Sequence, residues 1–331
     1  MDNAIISTNA QLAISQPDQN PALVYLAGLT SPESQRGMQT ALNNLARLMG
    51  APDTLTQDGK PLRGKADRTF LLIRWEELRY ANTKALYAHM VANYPPATVN
   101  KMLAALKGVL KEAWRLNLIP ADDYRRAVDL SSVRNETLPA GRELAEGEIY
   151  ALVQACKRDT SPAGARDAAI IGVLFTCGLR RAELVALKLD DYDRDSGKIT
   201  ILAGKGRKQR TVYVSGGAKM ALDVWLIERG LEPGALFLRI RKGGKLQPPT
   251  QHLTSQAIYD LLEKRGKEAG LKDFSPHDFR RSMISTLLDR GVDLVTVSKI
   301  AGHSSPDTTK RYDRRGEEVK QRAAEKIHFP F

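Results

Sequence analysis

The sequence is short of several features that would define a function class. Its 331 residues include two cysteines, Cys156 and Cys177, which form no CxxC pair and no Cys/His cluster. This excludes a disulfide framework and a structural zinc site. The longest apolar run, AAIIGVLF at 168–175, is too short to cross a membrane, and no basic segment leads into an apolar run at the N-terminus. We therefore expect a soluble, non-exported protein of the reducing cytoplasm.

Acidic residues are also in deficit. Fifty Lys and Arg against 38 Asp and Glu give a net charge of +12. The excess lies in short clusters along the chain, such as GKGRKQR (204–210), RIRKGGK (239–245) and KRYDRR (310–315). This distribution favours a continuous basic surface and a polyanionic partner, with nucleic acid ahead of an anionic membrane surface. A generic solvated surface is the alternative.

Length and hydrophobic periodicity predict two domains. An N-terminal extension at 1–30 is expected to precede an all-α domain at 31–130. The periodic segments of that domain predict helices at 31–50, 75–94 and 96–119. The stretch SSVRNETLPAG at 131–141 gathers Ser, Asn, Pro and Gly and is typical of a linker. The second domain follows at 142–331.

The second domain combines helices with short strand-like runs. KITILAG (198–204) and RTVYVS (210–215) flank a turn-like basic segment and predict an antiparallel hairpin, and a further short hairpin is expected around 235–244. Helices are predicted at 143–157, 163–178, 182–187, 255–269, 276–290, 293–301, 306–312 and 317–326. The expected fold class is mainly α with a small antiparallel β-sheet in the second domain.

One helix start in the second domain suits an anion. In FSPHDFRRS (274–282), Ser275 and Pro276 predict a helix that begins with His277 and Arg280 one turn apart on the same face. The free N–H groups and the positive end of the dipole at a helix N-terminus attract anions. Together with the cations presented there, they make a binding site for phosphate. An HxxR pair alone, however, is more often structural.

Two further candidates lie in turns. Arg180 follows Gly178 in TCGLRRAEL (176–184), and Glu183 is placed either to cap the next helix or to pair with an arginine. Lys205 stands between glycines at the predicted hairpin tip, where it is either a ligand contact or a solvated turn lysine. The tip is not a Walker loop, because Gly206 stands where a Ser or Thr would be needed.

The last candidates lie in AGHSSPDTTKRY (301–312). Gly302 places His303 at a helix end, and Tyr312 follows one short helix later as the only aromatic residue among Lys and Arg. Tyr312 is either a surface tyrosine that packs on a neighbouring helix or a nucleophile whose phosphate is held by the surrounding cations.

Taken in order, TCGLRRAEL, GKGRKQRTVYV, SPHDFRRS and AGHSSPDTTKRY closely resemble the tyrosine site-specific recombinases, or phage integrase family, which includes the Xer and Cre recombinases. The resemblance covers the second half of the chain. The basic helical first half is similar to the core-binding domain of the family in order and character only. Ala301 stands where a leucine is more usual, at a packing position with no expected chemical consequence. The resemblance implies two domains that clamp double-stranded DNA.

The resemblance also implies the chemistry. Tyr312 is expected to form a 3′-phosphotyrosyl link, with Arg180 and Arg280 as a clamp on the phosphate and His303 as a further hydrogen-bond donor. These cations would replace a metal ion, and the sequence has no acidic cluster of the two-metal type, so we expect no metal and no cofactor.

Three residues are expected to support this step. His277 is expected to accept or orient the proton of the phenol, and Lys205 to protonate the departing 5′ oxygen. Glu183 has a supporting role. Candidate DNA-binding residues are the basic face of the third helix and the cations of the clusters: Lys101, Lys107, Lys111, Arg115, Arg207, Lys208, Arg239, Arg241, Lys242, Arg281 and Arg311.

The expected partner is DNA with paired inverted-repeat core sites, bound in the nucleoid by a dimer on each site and a tetramer in synapsis. Ile327, Phe329 and Phe331 place large apolar groups at the C-terminus, where chain ends are normally polar. They either dock on their own catalytic domain or enter a neighbouring subunit, as the family resemblance suggests.

Two other functions remain as alternatives to a site-specific recombinase. One is a DNA-binding or architectural protein without catalysis on the same fold, and the other is an enzyme of type IB topoisomerase character.

Overall fold

The computed structural model describes residues 19–134, 141–202, 209–241, 243–303, 305–313, 316, 324–325 and 327. The chain divides into two compact units, Met1–Thr137 and Leu138–Phe331. Both are built mainly from helices, and the second also holds a small antiparallel sheet. The fold class predicted from the sequence is therefore confirmed. No helix in the described ranges is long and apolar enough to cross a membrane.

The first unit is all-helical in its described part. Its helices are α1 (Pro21–Ala27), α2 (Pro32–Leu48), α3 (Tyr80–Asn93), α4 (Pro96–Arg115) and α5 (Ala121–Ala127). Short 3₁₀ turns at Gly64–Ala66, Thr69–Leu72 and Trp75–Glu77 join α2 to α3. The apolar stripe of α4 is fully buried at Leu106 and Val109, and α1, α2, α3 and α5 all pack against this helix.

The observed helix starts in the first unit can be compared with those predicted from the sequence. Ser31 caps α2 as predicted, since its hydroxyl accepts a hydrogen bond of 3.1 Å from the Ser34 N–H. Two bounds differ from the predictions. Helix α1 lies inside the expected extension and buries Ala22 in the core of the unit, so the helical unit begins before residue 31. Residues 75–77 form a 3₁₀ turn because Trp75 is buried, with its indole N–H donating to the Phe70 carbonyl at 2.9 Å.

The second unit carries the remaining elements. Its helices are α6 (Glu146–Arg158), α7 (Pro162–Cys177), α8 (Arg181–Ala186), α9 (Gly216–Arg229), α10 (Ser255–Glu268), α11 (Pro276–Asp289), α12 (Leu294–Ala301) and α13 (Pro306–Lys310). Its strands are β1 (Tyr192–Asp193), β2 (Lys198–Ile201) and β3 (Arg210–Tyr213). They pair antiparallel in the order β1-β2-β3, and Ile199 faces Val212 in the register of the predicted hairpin.

Helix α7 is the centre of the second unit. Ile170, Ile171 and Leu174 are fully buried, and α6, α9 and α11 pack around the helix. Helix α9 was not predicted, because the glycines that open it favour a turn in the sequence. It forms because Leu222 and Trp225 bury an apolar face of the helix in the core around α7.

The second predicted hairpin is present only as isolated bridges. Leu238 pairs with His252 and Ile240 with Leu246, so the turn lies a few residues later than expected. The tip of the first hairpin at 203–208 lies outside the described residues, and so does most of the predicted helix at 317–326.

Candidate active site

The start of α11 is built as the sequence predicted. The Ser275 N–H donates to the Asp278 carboxylate at 2.7 Å, and the Ser275 hydroxyl donates to the same oxygen at 3.0 Å. The backbone N–H of Arg142 donates to the other carboxylate oxygen at 2.9 Å. Asp278 is buried, so these donors fix the first turn of the helix and with it the positions of His277 and Arg280.

Arg280 is a buried cation with an unsatisfied donor. Its side chain is almost fully buried, and Nη1 donates to the Gly178 carbonyl at 2.8 Å. Nη2 is also buried and has no hydrogen-bond partner among the described residues. Burial and the nearby charge of Arg180 lower the pKa of Arg280 to about 10, so the guanidinium stays protonated at neutral pH. A buried charged donor without a partner is costly, and such an atom suits an anionic ligand.

Glu183 binds two arginines. It accepts the Arg180 N–H and the Arg180 guanidinium, each at 2.8 Å, so it both caps α8 and forms an ion pair. Arg210 donates both terminal nitrogens to the same carboxylate at 2.8 Å. Burial alone would raise the pKa of Glu183, but the hydrogen bonds from Arg210 and Arg180 hold it at about 2. The carboxylate is therefore ionised at neutral pH and fixes both arginines.

Arg210 is a site residue that the sequence reasoning missed. It is the first residue of β3 and lies in the stretch GKGRKQRTVYV that carried the family resemblance. Its Nε donates to the Ile300 carbonyl at 3.1 Å, which ties the strand to the end of α12. The available signal was an arginine at the start of a β-rich run, within a motif that carried the family resemblance.

Two glycines end helices at the site. Gly178 follows α7 with φ 59° and Gly302 follows α12 with φ 65°, in the left-handed region that favours glycine. Arg280 donates to the carbonyl of the first, and Arg180 donates to the carbonyl of the second at 3.0 Å. The C-terminal end of a helix favours cations, so each cap stabilises one of the two guanidiniums.

The pKa values of both site histidines are lowered, which favours the neutral imidazole. Burial, with the charges of Arg280 and Arg180, lowers the pKa of His303 to about 4. Burial and the charge of Arg280 also lower the pKa of His277. The Nδ1 atom of His303 lies 2.7 Å from the hydroxyl of Thr309, a buried residue that the sequence reasoning did not single out.

Tyr312 is buried, so it is not a surface tyrosine. The residue is 7% exposed and packs in a small cluster with residues of α11 and α12 such as Ile284 and Val297. The ring stacks on His303 at a centroid distance of 6.3 Å. Its hydroxyl lies 3.3 Å from Nε2 of His277. The structure thus brings together Arg180, Glu183, His277, Arg280, His303 and Tyr312.

Two candidate DNA-binding residues make hydrogen bonds within their own units. Arg281 is buried, donates to the Gly141 carbonyl at 2.9 Å and places its guanidinium carbon 5.6 Å from the centre of the Tyr312 ring. It therefore packs against the tyrosine and is not exposed in this structure. The ammonium of Lys107 donates to the Leu130 carbonyl at 2.6 Å, which ties it to the end of the first unit.

The other candidates fall into two groups. The exposed ones are Lys101, Lys111, Arg115, Arg239, Arg241 and Arg311. Those outside the described residues are Lys205, Arg207, Lys208, Lys242, Phe329 and Phe331. The described ranges contain no group of three or more His, Cys, Asp or Glu that could hold a metal ion.

An apolar groove lies away from this site. It has a volume of about 800 Å³ and runs between α6, α7 and α9. Val153 and Phe175 line one side, and Met220 and Val224 line the other. The last two side chains are 70% and 52% exposed, so the groove is open to solvent.

Comparisons with known proteins agree with this geometry. The phage integrase family model matches residues 142–318. The tyrosine recombinase XerC of Treponema denticola is 32% identical over 250 residues, which cover 71% of this chain and 79% of the relative. The tyrosine recombinase XerC of Myxococcus xanthus is 32% identical over 260 residues, which cover 75% of this chain and 82% of the relative.

A solved structure shows the same fold. The Tn1549 transposon integrase in complex with transposon right-end DNA aligns with a TM-score of 0.64 at 15% identity, over 93% of this chain and 98% of that chain. The protein therefore belongs to the phage integrase family, the tyrosine recombinases that cleave and rejoin DNA. The family and the class of enzyme expected from the four motifs are confirmed.

Proposed function

We propose that this site-specific recombinase exchanges DNA strands through a covalent 3′-phosphotyrosyl link to Tyr312. The observation that carries the proposal is the Tyr312 hydroxyl, 3.3 Å from Nε2 of His277 and at the helix start that also presents Arg280. Double-stranded DNA is the partner that suits a net charge of +12, and the Tn1549 integrase binds such a partner.

The clamp on the scissile phosphate consists of Arg280 and Arg180. Negative charge grows on the non-bridging oxygens as the phosphodiester is attacked, and preorganised guanidiniums stabilise it. Arg280 contributes the buried Nη2 that has no partner among the described residues. Arg180 is half exposed and is oriented by Glu183 and the Gly302 carbonyl, so it approaches the phosphate from the open side.

A neutral imidazole can accept the proton that the Tyr312 phenol loses in the cleavage step. The phenol oxygen of Tyr312 forms a bond to phosphorus and gives its proton to His277 while the bond to the 5′ oxygen breaks. Lys205 protonates that leaving oxygen, and His303 donates a hydrogen bond to the phosphate. In the reverse step a 5′ hydroxyl of another strand gives its proton to the neutral Lys205 as it attacks phosphorus, and Tyr312 leaves and takes back the proton held by His277. The phosphotyrosyl link conserves the bond energy for this rejoining.

Assembly would involve the groove between α6, α7 and α9. The C-terminal residues Ile327, Phe329 and Phe331 are large and apolar, and Ile327 is 79% exposed. We place this segment in the groove of a neighbouring subunit, which would make a head-to-tail contact. A head-to-tail contact whose rotation closes makes a ring, as a tetramer on two inverted-repeat sites requires. The first unit, with its exposed Lys101 and Lys111, would contribute to DNA binding.

The nucleophile is tested with Tyr312→Phe on a nicked DNA substrate that traps the cleaved state. The variant is expected to bind the DNA as the wild type does but to yield no covalent protein–DNA species on a denaturing gel. An adduct with the Phe variant would move the assignment to another tyrosine such as Tyr259. A wild type that binds without forming an adduct would support a DNA-binding protein without catalysis. An adduct and relaxation of supercoils without exchange between DNA partners would indicate topoisomerase chemistry.

A further inference from the structure

Thr309 contacts both the histidine and the tyrosine of the proposed site. It is fully buried in the short helix α13. Its hydroxyl oxygen lies 2.7 Å from Nδ1 of His303, and its backbone carbonyl accepts the N–H of Tyr312 at 2.9 Å. The family motifs assigned no role to this residue. One buried side chain therefore holds the imidazole while the same residue's backbone holds the segment that carries the phenol.

The chemistry of His303 depends on which ring nitrogen carries the proton. The charged groups that face it are Arg180, Arg210 and Arg280, and the titratable His277 lies beside them, so a second proton on the imidazole is disfavoured. A neutral imidazole has one N–H, and the partner of one nitrogen determines what the other can do. If Nδ1 accepts, Nε2 donates. If Nδ1 donates, Nε2 presents a lone pair.

We propose that Thr309 is a positioning residue that keeps the proton of His303 on Nε2. The threonine hydroxyl donates to Nδ1, and the Nε2–H is then the donor for the phosphate oxygen, which can only accept. The opposite tautomer would set a lone pair against that anion. This inference rests on the proposed function, because the phosphate gives the tautomer its importance. It adds a residue that acts through His303 and does not touch DNA.

The first test compares three variants. Thr309→Val keeps the shape and removes the hydroxyl, so cleavage of a nicked substrate is expected to slow about tenfold or more, with DNA binding unchanged. Thr309→Ser restores the donor and is expected to recover most of the rate. Thr308→Val, at the exposed neighbouring position of the same helix, is the matched control and should cleave at the wild-type rate. A folded Thr309→Val protein with wild-type cleavage would overturn the proposal.

A double-mutant cycle shows whether Thr309 acts through His303. In a His303→Ala background, Thr309→Val should cost little further activity, because its target is gone. An undiminished additional loss would assign Thr309 a purely structural role. If His303→Ala alone cleaves normally, the proposed function of His303 fails, which is a different result.

The tautomer can be read without any cleavage assay. Proteins labelled with ¹⁵N in histidine, with the His303 signals assigned from a His303→Gln variant, show which ring nitrogen is protonated. The wild type and Thr309→Ser are expected to carry the proton on Nε2, and Thr309→Val should shift toward a mixture of tautomers. A wild-type proton on Nδ1 would contradict the proposal whatever the activities are.

Discussion

At the scale of single residues, the two arginines of the clamp differ in how they are held. Arg280 is buried and has used one terminal nitrogen on a backbone carbonyl, which leaves the other for a ligand. Arg180 is half exposed and shares the carboxylate of Glu183 with Arg210. A lysine in place of Arg280 could not serve both partners, because its ammonium is a single point of charge on a flexible stem.

We therefore expect Arg280→Lys and Arg180→Ala each to slow cleavage by two or more orders of magnitude. Removal of one positioned charge donor from a transition state costs roughly 2.7–4 kcal/mol. Half-site binding should change little, since many other Lys and Arg are available to contact the DNA backbone. Single-turnover cleavage and a gel-shift titration measure the two quantities, and Arg125→Ala, at an exposed arginine of the first unit, is the control. Equal losses of binding and cleavage would make these arginines ordinary members of a basic surface.

The depressed pKa of His303 has a consequence for stability. The pKa is about 4 in the folded protein against 6.5 as the ordinary value. Between these values the unfolded chain binds a proton that the folded chain does not, so the free energy of unfolding falls as the pH is lowered through this window. His277 contributes in the same direction.

His303→Gln should therefore lose less stability than the wild type between pH 6.5 and pH 4. Urea unfolding followed by circular dichroism at a series of pH values measures the difference between the two proteins. Above pH 7 the two curves should run parallel. The idea fails if the difference between them does not change across the acidic window.

At the scale of elements, the left-handed glycine at the end of α12 leaves room for a side chain of the proposed active site. A Cβ on Gly302 would lie within 2.7 to 2.9 Å of atoms of the Arg210 side chain. An alanine there would push Arg210 away from Glu183 and, through that carboxylate, disturb Arg180.

Gly302→Ala and Gly270→Ala form a matched pair. Both glycines are left-handed, with φ 65° and φ 69°, but a Cβ at Gly270 would meet nothing within 4 Å. Each alanine should destabilise the protein by about 1–2 kcal/mol through its backbone. Only Gly302→Ala should also lose most of its cleavage activity. The interpretation is wrong if the two variants cleave equally well at a temperature where both are folded.

The helices whose ends were predicted correctly have capping residues that can be recognised from a few adjacent positions. Ser followed by Pro marked the starts of α2 and α11, and a glycine marked the ends of α7 and α12, because capping depends on a few adjacent residues. Helix α9 could not be predicted from its opening glycines, since it is stabilised by distant contacts with the core around α7. The same holds at the site. Arg210 meets Glu183 only through the tertiary fold, and nothing local distinguishes the buried Arg281 from the surface arginines.

At the scale of the whole molecule, the groove between α6, α7 and α9 supports a prediction about assembly. Deletion of residues 327–331 should leave a folded protein that binds one half-site but loses cooperative occupation of the second and most recombination. Val224→Asp, which places a charge in the groove, should reproduce this loss. Ile227→Asp lies on the same helix but does not line the groove, so it should have no such effect.

Gel-shift titration on full and half sites, with a recombination assay, measures these properties. A truncated protein that still pairs cooperatively and recombines at the normal rate would exclude the proposed role of the C-terminus. If the deletion unfolds the isolated protein, the segment docks on its own subunit.

The burial of Tyr312 also limits which molecules can end the reaction. Water at about 55 M is the competing nucleophile for any phosphoryl link, and hydrolysis would turn a transient intermediate into a permanent strand break. The ring that carries the proposed link is covered by His303 on one side and by residues of α11 and α12 on the other. In the proposed reaction a DNA strand held by its own base pairs would keep its 5′ hydroxyl close to the link, whereas the packing around the ring would slow the approach of water. If Tyr312 forms the proposed link, the small cluster around it would limit hydrolysis and so protect the DNA from permanent breaks.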